Sequence, residues 1–124
     1  MPNPYMQYQN NAVNSASSGD LLMMLYDGLV KFLKIAIDSM EKKNLSGAND
    51  ALIRSQDILN YLDETLDERF DISKNLSLLY DFMKNHLVEA NIKKDPQKVK
   101  DVLDIILDMR NTWRQASIMA KTNG

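Results

Sequence analysis

Residues 20–40 read DLLMMLYDGLVKFLKIAIDSM, and this stretch decides the fold of the chain. Its apolar residues recur every three or four positions, the spacing that places side chains in one stripe along a helix of about 3.6 residues per turn. The stripe consists of Leu22, Leu25, Leu29, Phe32, Leu33, Ala36 and Met40. Just before it, Ser17 and Asp20 stand at the two positions of a capping box. The pattern predicts a first helix that begins at Ser17 and is closed by Lys42-Lys43-Asn44.

The same spacing occurs three more times downstream. A second helix is predicted from Ser46 until residues 67–71 break the pattern, and a third from about Ser73 to residue 92. Asp95 is then expected to cap the fourth helix, with Pro96 at its first position. The stripe of the second helix contains Ala48, Ala51, Leu52, Ser55, Ile58, Leu59, Leu62 and Leu66. That of the third contains Leu76, Leu79, Tyr80, Met83, Leu87 and Ala90. That of the fourth contains Val99, Val102, Leu103, Ile106, Met109, Arg110, Trp113 and Ala116.

These patterns predict an all-α fold, because no stretch alternates with the period of two that is typical of a strand. Four amphipathic helices of similar length with short connections favour an antiparallel up-down four-helix bundle, expected over residues 17–120 and frayed at 121–124. Residues 1–16 contain two prolines, four asparagines and two glutamines, so we expect a flexible N-terminal segment.

Composition excludes several classes of function. The formal net charge is -2, and no basic cluster is longer than a pair, so a nucleic-acid partner is not expected. The absence of cysteine excludes a disulfide framework, a cysteine-based zinc site and a thiol nucleophile, and it favours a reducing compartment. Neither a signal peptide nor an apolar run of about 20 residues is present, which indicates a cytosolic protein without membrane insertion.

The sequence offers little for catalysis, so no enzyme, metal or cofactor is expected. His86 is the sole imidazole, no nucleophile motif accompanies it, and we expect a partly exposed polar residue of the third helix. A di-iron site would need a glutamate three residues earlier, where Met83 stands. Inward stripes contain only Ser55 and Arg110 as polar members, which argues against an enzyme with its active site in the bundle. A carboxylate cluster is interpreted as a solvated face: Asp63, Glu64, Asp67 and Glu68.

The sequence contains more apolar residues than a single buried seam between the four helices needs. Eight methionines, adaptable in packing, include five at or beside the stripes: Met23, Met24, Met40, Met83 and Met109. Eight apolar side chains are expected outside the seam: Leu21, Met23, Met24, Tyr26, Ile53, Tyr61, Leu78 and Phe82. Because a bundle of this size cannot bury all of them, the sequence predicts an exposed groove that holds an amphipathic helix of a partner.

Several segments, in order and spacing, resemble the flagellin-specific export chaperones of the FliS family over nearly the whole chain. They are Asn3-Pro4-Tyr5 with Tyr8, Ser15-Ala16-Ser17, Leu25-Tyr26-Asp27-Gly28, Ala51-Leu52-Ile53-Arg54, Asn75-Leu76 with Leu79-Tyr80-Asp81, Leu87-Val88-Glu89-Ala90-Asn91, and Trp113-Arg114-Gln115-Ala116. Two departures are Ser18, where many members have proline, and residues 67–73, which lack the glycine pair of numerous relatives. Neither departure falls on a candidate groove residue.

The resemblance implies a helical bundle that binds the disordered C-terminal segment of flagellin, prevents premature polymerisation and delivers the subunit to the export gate component FlhA. Flagellin-binding residues are expected at Tyr5 and Tyr8, which match the family's tail motif. Groove candidates, which follow the apolar stripes of three helices, are Leu21, Met24, Leu25, Ile58, Leu62, Leu76, Tyr80 and Met83, and we expect several of them to be core residues. A helical adaptor that holds a different partner, such as an anti-sigma factor, remains an alternative, and further flagellar regulators are left open as partners.

Overall fold

The computed structural model describes residues 18–123, with side chains described for residues 19–119. It contains four helices: α1 (Ser18–Glu41), α2 (Leu45–Glu64), α3 (Ile72–Lys93) and α4 (Pro96–Asn123). No strand occurs within that range, and no helix in it is long and apolar enough to cross a membrane. The prediction of an all-α four-helix bundle is confirmed.

The helices form a ring in chain order. Each helix packs against the next, and α4 closes the ring by packing against α1. The short connections at residues 42–44, 65–71 and 94–95 reverse the chain each time, which makes neighbouring helices antiparallel. The N-terminus of α1, the C-terminus of α2, the N-terminus of α3 and the C-terminus of α4 therefore share one end of the bundle.

The helix ends follow local capping chemistry. Asp95 Oδ1 accepts a hydrogen bond from the backbone N–H of Gln97 at 3.0 Å, and Pro96 is the first residue of α4, as predicted. The predicted start of α2 at Ser46 is wrong by one residue, because Asn44 is the cap and its Oδ1 accepts from the N–H of Gly47 at 3.0 Å.

Other predicted boundaries shift slightly. α3 begins at Ile72 rather than at about Ser73, and α4 continues as helix to Asn123 instead of fraying at residue 121. The capping box that includes Ser17 lies outside the described residues, as does the N-terminal segment. The domain boundary between residues 16 and 17 therefore stays a prediction.

The core sits inside the ring and is built mainly from the predicted stripes. Its buried apolar residues are Leu25, Tyr26, Leu29, Val30, Leu33, Ala36 and Met40 on α1; Ala48, Ala51, Leu52, Ile58, Leu59 and Leu62 on α2; Tyr80, Met83, Leu87 and Ala90 on α3; and Val99, Val102 and Ile106 on α4. Ser55 is buried as expected, and its hydroxyl donates to the carbonyl of Ala51 at 2.9 Å. Ser39 and Ser73 are also buried, which the sequence did not indicate, whereas Arg110 stays partly exposed.

Candidate partner-binding surface

The eight groove candidates predicted from the sequence lie toward one end of the bundle, because α1, α2 and α3 alternate in direction. Five of them are buried in the core: Leu25, Ile58, Leu62, Tyr80 and Met83. Leu21, Met24 and Leu76 are only half-buried and remain accessible to a partner. The expectation that several candidates are core residues is confirmed, while a role in binding stays a prediction. Tyr5 and Tyr8 lie outside the described residues.

Three buried polar groups, on Tyr26, Tyr80 and Trp113, lie inside this end of the bundle. The hydroxyls of Tyr26 and Tyr80 lie 2.7 Å apart and join α1 to α3, the helix diagonally opposite in the ring. The expectation that Tyr26 lies outside the seam is wrong, because this hydrogen bond satisfies a hydroxyl that would otherwise be costly to bury. The indole N–H of Trp113 is also buried and lies near the Tyr26 hydroxyl without the geometry of a hydrogen bond.

The protonation state of the tyrosine pair follows from its surroundings. Burial raises the pKa of Tyr26, opposed by the neighbouring Tyr80 hydroxyl and the Trp113 indole. Burial raises the pKa of Tyr80 above its usual range, and Tyr26 and the carboxylate of Asp63 raise it further. Both tyrosines are therefore neutral, and they act as a structural pair across the core.

Asp63 differs from the solvated carboxylate that the sequence indicated. The hydroxyl of Ser77 donates to Asp63 Oδ1 at 2.7 Å, and Lys84 Nζ lies 3.5 Å from Oδ2. The prediction is wrong for this residue because packing of α2 against α3 brings both partners to it. Glu64, Asp67 and Glu68 are exposed as expected, and a side-chain hydrogen bond from Arg69 lowers the pKa of Asp67.

The outer face of α3 carries the main exposed apolar surface. Of the eleven large apolar side chains exposed in the described residues, four lie on the side of this helix turned away from the core, and we call them the outer α3 surface. They are Leu78, Phe82, Val88 and Ile92. Four further exposed residues lie nearby: Ile72 at the first position of α3, Phe70 in the preceding connection, and Leu45 and Ile53 on α2. The prediction that Ile53, Leu78 and Phe82 lie outside the seam is confirmed, whereas Leu21, Met23, Met24 and Tyr61 are half-buried.

Sequence reasoning missed part of this surface. Val88 and Ile92 are four residues apart, a spacing that places them on one side of α3 outside its inward stripe. That spacing was the available signal for a second apolar face. Phe70 and Ile72 had no comparable signal, because they fall in or beside an irregular connection.

A cleft of about 700 Å³ adjoins the outer α3 surface where α2 ends and α3 begins. Leu66 and Leu78 supply its large apolar side chains, and Glu64, Glu68 and Lys74 supply charge. The remaining lining residues are Asp63, Ser73 and Ser77. Because Leu78 belongs to both features, a bound chain can pass from the outer α3 surface into the cleft.

His86 supports the outer α3 surface rather than forming a reactive site. Its ring stacks on Phe82 with 5.3 Å between ring centroids, and Nε2 lies 3.2 Å from Asp101 Oδ2 on α4. Hydrogen bonds from Gln97 and His86 lower the pKa of Asp101. These contacts fix the ring of Phe82 at the surface, and His86 is partly exposed, as expected. In the stretch that the structure describes, no three acidic or histidine side chains cluster in a way that could hold a metal ion.

The fold and this surface define a class of protein, a helical bundle whose exposed apolar face is suited to holding another polypeptide. A family model described as Flagellar protein FliS matches residues 1–121. The chain therefore belongs to the FliS family. It is a chaperone of flagellar export and not an enzyme, as the sequence predicted.

Curated relatives agree with the family model. The chain is 39% identical over 114 residues to the flagellar secretion chaperone FliS of Bacillus subtilis, an alignment that covers 92% of this chain and 86% of the relative. It is 33% identical over 108 residues to FliS of Vibrio cholerae, covering 86% and 79%. It is 34% identical over 110 residues to FliS of Salmonella typhimurium, covering 86% and 82%.

Proposed function

We propose that the protein acts in the bacterial cytosol, where it binds the C-terminal segment of flagellin, prevents premature polymerisation and delivers the subunit to the cytosolic domain of FlhA. Family membership supports the export role, and the outer α3 surface is the observation that carries the binding role. No step uses ATP, so release follows from competition at the export apparatus or from changes that a partner induces.

The exposed fractions of the outer α3 side chains indicate how much binding free energy this surface can supply. Leu78, Phe82 and Ile92 are 69%, 51% and 77% exposed. Because complete burial of a large apolar side chain contributes roughly 1.5–3 kcal/mol, covering these three contributes about 3–6 kcal/mol. Ordering a disordered segment costs about 2–5 kcal/mol or more. The two terms nearly cancel, so the bound segment must cover additional surface.

The adjoining end of the bundle offers that additional surface. The cleft between α2 and α3 begins at Leu78, and Leu21, Met24 and Leu76 are half-buried at the same end. We therefore expect the flagellin segment to run along the outer α3 surface and continue onto this end. Helix α1 begins at this end, at Ser18, and we expect Tyr5 and Tyr8, which precede it in the sequence, to take part in the same contact.

Isothermal titration calorimetry tests the proposal with full-length flagellin and with flagellin that lacks its C-terminal segment. We expect tight binding that is lost with the truncated flagellin. Phe82→Asp on α3 should weaken binding about tenfold or more, because a carboxylate would lose water in an apolar contact. Ile35→Asp on α1 is the matched control, since it also replaces an exposed apolar residue, and binding should change less than about twofold.

Several outcomes would contradict this assignment. Unchanged affinity in Phe82→Asp, with the variant folded by circular dichroism, would remove the outer α3 surface from the contact, and an equal loss in both variants would show that the effect is not specific to this surface. No binding to either flagellin would favour the helical-adaptor alternative. Leu62→Asp is a poorer test, because Leu62 is only 3% exposed and the new charge would be buried in the core.

Two further measurements address the N-terminal segment and delivery. Removing residues 1–16 should change flagellin affinity, with Tyr5→Ala and Tyr8→Ala separating the two aromatic residues. Unchanged calorimetry after truncation would exclude the segment from binding. Co-purification with the cytosolic domain of FlhA, with and without bound flagellin, tests delivery; absence of a complex in both conditions would contradict it.

A further inference from the structure

A second cleft lies between α1 and α4, the pair of helices opposite α2 and α3 in the ring. Its volume is about 630 Å³, and it is lined by Asp27, Val30, Lys31, Lys34, Ile35 and Arg110. Apart from Val30, which is buried in the core, these side chains take no part in the core or in the flagellin contact proposed above. The cleft is therefore separate from the one where α2 ends and α3 begins.

The cleft combines an apolar floor with an excess of positive charge. Ile35 is 40% exposed and presents the apolar surface there, whereas Val30 is only 8% exposed and belongs to the core. Three cations line the cleft against one carboxylate, which leaves an excess of two positive charges in a chain whose formal net charge is -2. That carboxylate, Asp27, lies 2.5 Å from Arg110 Nε. The excess therefore belongs to Lys31 and Lys34.

The two lysines are not neutralised by their neighbours in the described part of the chain. Lys31 Nζ lies 5.6 Å from the centroid of the Phe32 ring, and Lys34 makes no ion pair there. Asp38 follows Lys34 by one turn, but its carboxylate pairs with Lys42 at 3.2 Å. A ligand with carboxylates can therefore engage both ammonium groups without breaking an existing pair.

We propose that the α1–α4 cleft docks an acidic helical segment of a second protein, anchored by one apolar side chain. The distance from Asp27 to Ile35 along α1 is about 12 Å, enough for roughly two turns of a partner helix. An apolar anchor placed between the two lysines would contact Ile35, and carboxylates one turn to either side would reach Lys31 and Lys34. Opposite charges give such a contact its orientation and its specificity.

The test is a titration of the free full-length chain, so it does not depend on flagellin binding. The probe is a stapled helical peptide of about three turns, with a central leucine, glutamates one turn to each side and alanine elsewhere. Two matched peptides replace the glutamates by glutamine or the leucine by alanine. Amide chemical shifts in a ¹⁵N-labelled chain report where each peptide binds and how tightly.

We expect shifts confined to residues 30–35 and the surroundings of Arg110, with affinity that falls as salt is added. Lys34→Glu should weaken the peptide about fivefold or more, and both matched peptides should bind more weakly than the probe. Lys74→Glu is the control, because it makes the same charge change on α3. The proposal is overturned if the shifts map elsewhere, if the glutamine peptide binds equally well, or if Lys34→Glu behaves as the unmodified chain.

Discussion

Replacing Tyr80 by phenylalanine isolates one hydrogen bond inside the core. The ring keeps its volume, but the hydroxyl of Tyr26 loses the partner that lies 2.7 Å away, and Tyr26 has no access to water. A buried polar group left without its partner costs about 1–3 kcal/mol. Tyr80→Phe should therefore lower the free energy of unfolding by about that amount, and Tyr26→Phe by a similar amount.

The double variant is the decisive measurement. When both hydroxyls are absent, neither is left without a partner. The double variant should therefore lose no more free energy of unfolding than the more destabilised single variant, which corresponds to a coupling of about 1–2 kcal/mol between the two substitutions. Urea unfolding followed by circular dichroism measures this, with the midpoint of each single variant lowered by about 1 M.

Tyr61→Phe is the control for the tyrosine pair. The Tyr61 ring is half-buried, and its hydroxyl makes no hydrogen bond to the part of the chain that the structure describes, so the change should stay within about 0.5 kcal/mol. Strictly additive costs in the double variant, or a Tyr80→Phe effect as small as that of Tyr61→Phe, would refute the reasoning.

Three further predictions concern stability. Because the pKa of Tyr80 is raised in the folded state, the unfolded chain loses the phenolic proton of Tyr80 first as the pH rises. The free energy of unfolding should therefore keep its full value below about pH 10 and fall above it, by up to about 1.4 kcal/mol per pH unit. The fall should be gentler in Tyr80→Phe. Urea midpoints measured across that range check this, and a pH-independent midpoint would contradict it. Gly47→Ala should destabilise the chain, because the new Cβ would lie 2.6 Å from Asn44 Nδ2. The same change should cost less stability in an Asn44→Ala background, where that side chain is shortened. Equal losses in the two backgrounds, measured by thermal melts, would exclude the clash. Leu33→Ala in the core should lower the free energy of unfolding by about 2–5 kcal/mol, and the exposed Ile92→Ala by less than about 0.5 kcal/mol. Similar urea midpoints for the two variants would contradict the burial assigned to these residues.

The helix boundaries show how far local chemistry reaches. Asp95 and Pro96 were predicted correctly because both act within one turn of their own position. The α2 boundary was placed one residue late because Asn44 and Ser46 are both good caps, and only the backbone geometry selects the side chain that reaches Gly47.

The candidate site was harder to predict than the helices. A single stripe describes a helix with one neighbour, whereas α1 packs against both α2 and α4. Its buried face is therefore wider than the stripe and includes Tyr26 and Val30. For the same reason five of the eight groove candidates are core residues, while the exposed apolar face of α3 contains Val88 and Ile92, which lie off the stripe.

The sequence by itself determined the number of helices, their approximate limits and most residues of each inward stripe, because helix formation and apolar periodicity depend on residues a few positions apart. Ala116, predicted in the stripe of α4, is exposed. Only the tertiary structure decided which apolar side chains were left over. The hydrogen bond between Tyr26 and Tyr80 and the contacts of Asp63 with Ser77 and Lys84 join different helices. Such contacts depend on how each helix is rotated against its neighbours, which no local spacing specifies.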